Sequence, residues 1–333
     1  EYHSDQGKAD AFVHQYASVS RHKLSLADRK RDRSVRRRLA KASALLGPVE
    51  ESCSEFSFAE LSCALSLTNA KSAEGADGVS ARFLLEAGVA AKEFFLACCN
   101  RSFQEGFCPQ AWRDAVVVPI LKSGKPAGQI DSYRPISLTS CLGKVMERLM
   151  ASRLTHLAES RGLWCEEQAG FRALRFTEDQ VVRIASAVSD GFQARPAKRT
   201  VLALLDFTKA YDTVWRTDLL GILMDAGIPF PIVRWVRGFL THRRARVRLN
   251  GAMSRPCVFR EGLPQGSVLS PLLFLFVIDT LRKRLPTSIE ASFYADDVAL
   301  WASHPRKEVA AAQLVGGVGE VLRWGESIRF ISI

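Results

Sequence analysis

Phe293-Tyr294-Ala295-Asp296-Asp297-Val298-Ala299-Leu300-Trp301 sets two adjacent acids between two apolar runs. Ile289 to Tyr294 and Val298 to Trp301 read as strands, with Ala295-Asp296-Asp297 as the turn between them. Like charges side by side at the tip of an apolar hairpin repel each other, so the arrangement needs a reason. A second acid has the same oddity: Val201 to Leu205 is a continuous apolar run, expected as a strand buried on both faces, and it ends on Asp206. A carboxylate there is costly unless something pairs with it. Both placements become reasonable if a divalent cation sits between the strands. Mg²⁺ favours carboxylate oxygens together with phosphate oxygens of a substrate, and two such ions can clamp an in-line phosphoryl transfer. The bland alternative, a helix-capping Asp206 and a polar turn at Asp296-Asp297, stands about even for either motif alone.

Outward from these acids the chain mixes strands and helices without regular βαβ alternation, which favours an α+β fold. Arg244 to Leu249 alternates strictly, with Arg244, Arg246 and Arg248 on one face and Ala245, Val247 and Leu249 on the other; Asn250-Gly251 then signals a hairpin. Ala115 to Leu121 is a short β-branched run closed by Ser123-Gly124-Lys125-Pro126. Helices are expected over 10–45, stopped by Gly47-Pro48; from Ser57, with Glu60 completing a capping box; from Ser80 to about Phe103; and over 141–160, 177–193 and 271–284. Trp215 and Trp235 read as core, spaced helically among Leu and Val.

Composition limits the possibilities. With 333 residues, 47% hydrophobic and 24% charged, the chain has the makings of one large or two ordinary globular domains. The net charge is +11, and residues 21–41 alone supply +8 of it. That density suits a polyanion such as a nucleic-acid backbone, and equally a solvated basic helix. The eight cysteines form no C-x-x-C pair; they read as reduced thiols of a cytosolic or nuclear protein, with Cys98 and Cys99 both in the core. No secretory signal opens the chain, and the start on Glu1 suggests a fragment. The most apolar stretch, Val268 to Ile278, is too short to span a bilayer and contains Pro271, so no membrane role is expected.

The acids belong to a larger constellation. Phe293-Tyr294-Ala295-Asp296-Asp297 resembles the Y-x-D-D box of reverse transcriptases, and Gly262-Leu263-Pro264-Gln265-Gly266-Ser267-Val268-Leu269-Ser270-Pro271 resembles their motif B. Leu205-Asp206-Phe207-Thr208-Lys209-Ala210-Tyr211-Asp212 is similar to motif A. Ser132-Tyr133-Arg134-Pro135-Ile136-Ser137-Leu138 and Gln168-Ala169-Gly170-Phe171-Arg172 are similar to fingers motifs. In this order, over residues 57 to 324, the wording is similar to non-LTR (LINE-type) retrotransposon enzymes, with a trypanosomatid flavour at Thr177-Glu178-Asp179-Gln180 and Ala210-Tyr211-Asp212.

The resemblance implies a right-hand polymerase fold with fingers and palm present and the thumb missing. It divides into a basic helical segment over 1–47, fingers over 48–200 and palm over 201–333. It implies an RNA-directed DNA polymerase using an RNA template, a DNA primer and dNTPs, with two Mg²⁺ ions (or Mn²⁺), inside the cell in nucleus or cytoplasm. Asp206, Asp296 and Asp297 would be the catalytic and metal-binding acids, with the Phe207 carbonyl as a further ligand. Tyr211 would lie beneath the incoming sugar and reject a 2′-hydroxyl. Gln265 and Gly266 would line the nucleotide pocket, and Lys122 and Arg134 would hold the triphosphate. Arg36, Arg37 and Arg38, and the face of Arg244, Arg246 and Arg248, would track nucleic-acid phosphates.

Departures from the family pattern also appear. Its P-G-P-D-G turn is Glu74-Gly75-Ala76-Asp77-Gly78 here, and Phe176 stands where Ser is usual. After Trp324, the segment Gly325 to Ile333 matches none of the expected continuation, as a frameshift or premature stop would produce. Two other readings are a remnant that binds nucleic acid without catalysis and another palm-fold enzyme such as an RNA-dependent RNA polymerase. Primer extension separates the first, and rNTP use the second.

Overall fold

The computed structural model describes residues 4–22, 24–44 and 53–329. The expected helix stop at Gly47-Pro48 lies outside them, as do the last four residues. In chain order the first elements are helices α1 (Asp5–Val19), α2 (Leu26–Ala44), α3 (Phe58–Ser66), α4 (Ala81–Glu86), α5 (Val89–Glu105) and α6 (Gln110–Arg113). Strands β1 (Ala115–Leu121) and β2 (Tyr133–Thr139), helices α7 (Cys141–Ser160) and α8 (Thr177–Gln193), and strand β3 (Arg199–Asp206) follow. Next come α9 (Arg216–Asp225), α10 (Phe230–Leu240), β4 (Arg243–Leu249), β5 (Ala252–Met253) and β6 (Cys257–Phe259). The chain closes with α11 (Ser270–Arg282), β7 (Glu290–Tyr294), β8 (Asp297–His304) and α12 (Lys307–Ile328). These elements form two compact units, each drawn from two separate stretches of sequence: residues 1–157 with 215–270, and residues 158–214 with 271–333. Helices and two mostly antiparallel sheets make an α+β fold.

The first unit is organised by a five-stranded sheet. β1 pairs antiparallel with β2 from Ala115↔Thr139 to Leu121↔Tyr133, and parallel with β4 at Ala115↔Ala245 and Val117↔Val247. β5 and β6 both add antiparallel to β4, and the hairpin expected at Asn250-Gly251 joins β4 to β5. The alternation read in the sequence is real: Ala245 and Val247 are buried while Arg244, Arg246 and Arg248 are exposed. Helix α1 covers the apolar face with Ala9, Phe12 and Val13 against Ala115, Val117, Ala245 and Val247.

The single helix expected over 10–45 is two helices. Ser20 turns out of α1, where its carbonyl accepts the Glu261 N–H (3.0 Å) and its hydroxyl the Arg260 N–H (3.2 Å). Asp28 then accepts both the Ser25 N–H (2.7 Å) and the Ser25 hydroxyl (2.6 Å), while the Asp28 N–H returns to that hydroxyl, a reciprocal box that starts α2. α2 packs on α9 through buried Val35, beside Gly221, and through the Arg31–Asp218 (2.5 Å) and Arg38–Asp225 (2.6 Å) ion pairs. The helix expected over 80–103 also breaks, at Ala87-Gly88, into α4 and α5. Cys99 is buried, but Cys98 is exposed, because neighbours on a helix point about 100° apart. The Ser57–Glu60 capping box is present, and Trp215 and Trp235 are core residues as expected.

The second unit holds a three-stranded antiparallel sheet, β3-β8-β7, with α12 packed on β8 and β3 and α8 on β3 and β7. Trp324 of α12 is fully buried; its indole N–H donates to the Thr280 hydroxyl (2.8 Å), and its ring meets Phe207 edge-on at 5.6 Å. β3 is not buried on both faces. It is an edge strand, and Leu202 and Leu204 are 44% and 75% exposed. α8 starts without a side-chain cap from Phe176, yet Asp179 accepts the Phe176 N–H at 2.8 Å. The unfamiliar segment after Trp324 continues α12 to Ile328. Among the described residues, no helix is long and apolar enough to cross a membrane.

Candidate functional site

All three singled-out acids lie at one end of the second unit's sheet. Asp206 closes β3 and Asp297 opens β8, and the two are direct partners in the antiparallel register. Asp297 also faces Tyr294 at the end of β7, so Ala295 and Asp296 form the hairpin tip. Facing residues on neighbouring strands hold their Cβ atoms about 5 Å apart, and like charges there destabilise a sheet. Asp206 and Asp297 are exposed and Asp296 is half-buried. Tyr211, in a one-turn helix five residues beyond Asp206, stacks its ring on Phe274 at 4.7 Å. Burial, and then the nearby charge of Asp296, push the Tyr211 phenol well above its usual range, which keeps it neutral.

The acidic turn is strained and held. Ala295 has φ +57°, a conformation that costs a non-glycine residue about 1–2 kcal/mol. Its N–H donates to the side-chain oxygen of Gln168 (3.1 Å), a fully buried residue whose oxygen also accepts the Gly170 N–H (2.8 Å). The Ala169 N–H donates to the Phe293 carbonyl (2.9 Å), and the Phe293 N–H to the Glu167 carbonyl (3.0 Å), so residues 167–170 brace β7 along its edge. Arg172, nearly buried, ties this segment down through Glu159 (2.6 and 2.9 Å) and the carbonyls of Cys165 and Gln168. At Gly170 a Cβ would meet Tyr294 C at 2.9 Å and Ala295 Cα at 3.0 Å, with Ala295 N closer still. The Gln-Ala-Gly-Phe-Arg wording marked this segment, but nothing local in it says that Gln168 grips a turn 127 residues away.

The remaining pocket candidates belong to the first unit and gather along β2. Arg134 faces Ile120 across the β1–β2 pair. The Lys122 N–H donates to Ser132 (2.8 Å), and its ammonium reaches the Asp131 carbonyl (3.4 Å). Three residues beyond Arg134, the Ser137 N–H donates to the Gln265 carbonyl at 2.7 Å. Gly266 has φ +103°, and a Cβ there would lie 2.8 Å from the Ser137 carbonyl, so this position needs glycine.

The basic candidates differ in their engagement. Arg36 pairs with Asp32 (2.7 Å), Arg38 with Asp225, and Arg244 grips Asp114 with two nitrogens (2.7 and 3.1 Å). Among the described residues Arg37, Arg246 and Arg248 have no ion-pair partner, and neither do Lys30, Arg33 and Lys41. Lys30, Arg33, Ser34, Arg37, Arg38 and Lys41 line one groove on α2.

Among the described residues, no three His, Cys, Asp or Glu side chains close on one point as a ready-made metal cage. The donor set at the acidic end is nevertheless all hard oxygen, from two facing carboxylates and a third at the tip. That fits Mg²⁺, which typically takes one or two protein carboxylates and completes its shell with water and substrate phosphate.

A family description, reverse transcriptase (RNA-dependent DNA polymerase), matches residues 120–331, and the chain belongs to that family. Its relatives are proteins of non-LTR retrotransposons. It is 34% identical over 236 residues to the probable RNA-directed DNA polymerase from transposon BS of Drosophila melanogaster, covering 69% of this chain and 26% of that protein. It is 30% identical over 265 residues to the RNA-directed DNA polymerase from mobile element jockey of the same species, covering 77% and 28%. A third relative, the putative 115 kDa protein in type-1 retrotransposable element R1DM, is 29% identical over 255 residues, 76% of this chain and 24% of that protein. The chain thus spans about a quarter of the length of these curated relatives.

Proposed function

We propose that this chain is the polymerising core of a non-LTR retrotransposon reverse transcriptase, adding dNTPs to the 3′-hydroxyl of a DNA primer along an RNA template. The observation that carries the reading is the register of Asp206 against Asp297 with Asp296 at the adjoining tip: three acids, otherwise mutually repulsive, at one end of one sheet. Asp206, Asp296 and Asp297, with the Phe207 carbonyl, would hold two Mg²⁺ (or Mn²⁺) ions. When bound, these supply positive charge that favours the primer alkoxide and the departing pyrophosphate. The protein's own contribution is placement. Gln168 and the absence of a side chain at Gly170 fix the acidic turn, so the acids need no rearrangement at the moment of reaction.

Tyr211, held flat by Phe274, sets a rigid ring beneath the sugar and excludes a 2′-hydroxyl by contact. Lys122 and Arg134 bind the triphosphate, Arg134 as a fork and Lys122 as a point charge, while Gln265 and Gly266 offer backbone to the nucleotide. The exposed Arg37, Arg246 and Arg248 contact template or primer phosphates, and Arg36, Arg38 and Arg244 add charge from within their ion pairs. In this reading residues 48–200 are the fingers and residues 201–333 the palm of a right-hand polymerase. The protein works in the nucleus or cytoplasm, where RNA and target DNA are found.

The test is primer extension on an RNA template with Mg²⁺ and dNTPs, comparing the chain with Asp296→Asn. Extension by the chain and its loss in the variant are expected. No extension by either, with template-primer still bound, would identify a nucleic-acid-binding remnant instead.

A further inference from the structure

The loop that carries Gln265 and Gly266 is fastened at both ends within the first unit. At its start the Gly262 carbonyl accepts from the Arg216 guanidinium (2.8 Å), which also holds the carbonyls of Leu240 (2.7 Å) and Phe259 (2.8 Å). In its middle the Ser137 N–H holds the Gln265 carbonyl. At its end three donors from consecutive residues converge on one oxygen of Glu147, a side chain only 1% exposed. They are the Ser267 hydroxyl, the Val268 N–H (2.7 Å) and the Leu269 N–H (3.1 Å). The Ser267 oxygen in turn accepts from the Leu269 and Ser270 N–H groups (3.2 and 3.3 Å).

Glu147 sits in the middle of α7 with buried Val145, Met146, Leu149 and Met150 around it in sequence. A helix that had only to fill this space would carry Leu or Met there, because a buried carboxylate costs several kcal/mol unless its partners are in place. The oxygen is matched to the loop: three donors from consecutive residues end on it, and hydrogen bonds to a carboxylate are shorter and stronger than neutral ones. The second carboxylate oxygen is buried without a hydrogen bond, so among the described residues the side chain's hydrogen bonds all go to residues 267–269, while its charge also acts on the buried Arg243 guanidinium.

We propose that Glu147 is a positioning residue for nucleotide binding, its buried carboxylate fixing residues 262–269 in the one shape that presents Gln265 and Gly266 to a dNTP. The identity of the bound molecule rests on the function proposed above; the fastening of the loop does not. Glu147 touches neither substrate nor metal in this account and acts only through the loop. Its removal therefore weakens nucleotide binding more than the chemical step.

The experiment uses the full chain, Glu147→Gln and Glu147→Leu, the last filling the space with no acceptor. Two quantities are read: the KM and kcat for dTTP on an RNA template with a DNA primer, and amide hydrogen exchange at Val268 and Leu269. Turning three charge-assisted bonds into neutral ones in Glu147→Gln raises the dTTP KM about tenfold with kcat within about twofold, and Glu147→Leu raises it further. Exchange at Val268 and Leu269 quickens by about the same factor, while amides of the β1–β2 pair keep theirs. Unchanged KM and exchange in Glu147→Leu would overturn the proposal, and so would a fall in kcat with KM unmoved. If the wild-type chain extends no primer, the proposed function fails. Exchange and equilibrium dTTP binding then decide: Val268 and Leu269 protected equally in all three proteins would refute the fastening itself.

Discussion

Gly170→Ala is the sharpest single-atom perturbation this structure offers. The added Cβ would lie 2.9 Å from Tyr294 C and 3.0 Å from Ala295 Cα, and closer still to Ala295 N. These are backbone atoms and cannot swing aside as a side-chain end would. Restoring ordinary contact distances moves the turn by about 1 Å, and displacement on that scale at a reacting centre costs roughly 100-fold in rate. Overpacking itself costs about 1–3 kcal/mol, so the variant folds with a melting midpoint a few degrees lower. Single-nucleotide extension and a thermal melt on the same samples read both effects. Gly316→Ala on α12 is the control: nothing lies within 4 Å of its Cβ, and helix propensity alone predicts about 0.5–1 kcal/mol of added stability with no change in rate. Extension by Gly170→Ala at the wild-type rate would show that this contact does not set the position of Asp296 and Asp297.

Tyr211→Ala removes the ring stacked on Phe274 and should raise rNTP incorporation relative to dNTP by an order of magnitude or more; an unchanged ratio on matched templates would remove Tyr211 from sugar selection. Trp324→Phe keeps the ring contact with Phe207 but loses the bond to Thr280, which should lower stability in urea by about 1 kcal/mol. Hydrogen bonds from Arg172, chiefly, hold the Glu159 carboxyl below its ordinary 4.5. A depressed folded-state value stabilises fully above 4.5 and the stabilisation is lost as pH falls through the lowered value, so the stability difference between wild type and Glu159→Gln should shrink as pH falls below 4.5 in thermal melts.

Features with a local signature were legible in the sequence. The alternation of Arg244 to Leu249, the Ser57–Glu60 box and the acidic hairpin each depend on neighbours a few residues away, and each formed as read. The apolar run at 201–205 misled because a continuous hydrophobic string looks the same in a central strand and in an edge strand that leaves Leu204 uncovered. The division between α1 and α2 had a signature, Ser25-x-x-Asp28, hidden in a segment whose lack of Gly and Pro suggested continuity. Gln168 and Glu147 left no comparable trace. Each acts through side-chain bonds to backbone more than a hundred residues away, and sequence spacing does not encode such bonds.

The interleaving of the two units has a consequence for how the chain can be made and cut. In order of synthesis, Ala115 of β1 has its partner Ala245 only after β3 has appeared, and β3 has no sheet until β8 follows. Non-local pairings of this kind must close long loops before any contact rewards them, and they fold slowly. The shortest contiguous fragment that holds the five-stranded sheet whole, 115–259, also carries β3 away from β7 and β8. Such a fragment would leave an apolar strand with both edges open, the form that pairs with other chains. A single cut between β6 and β7 is therefore expected to yield aggregates, whereas circular permutation, which keeps every strand, is the route to probing either unit.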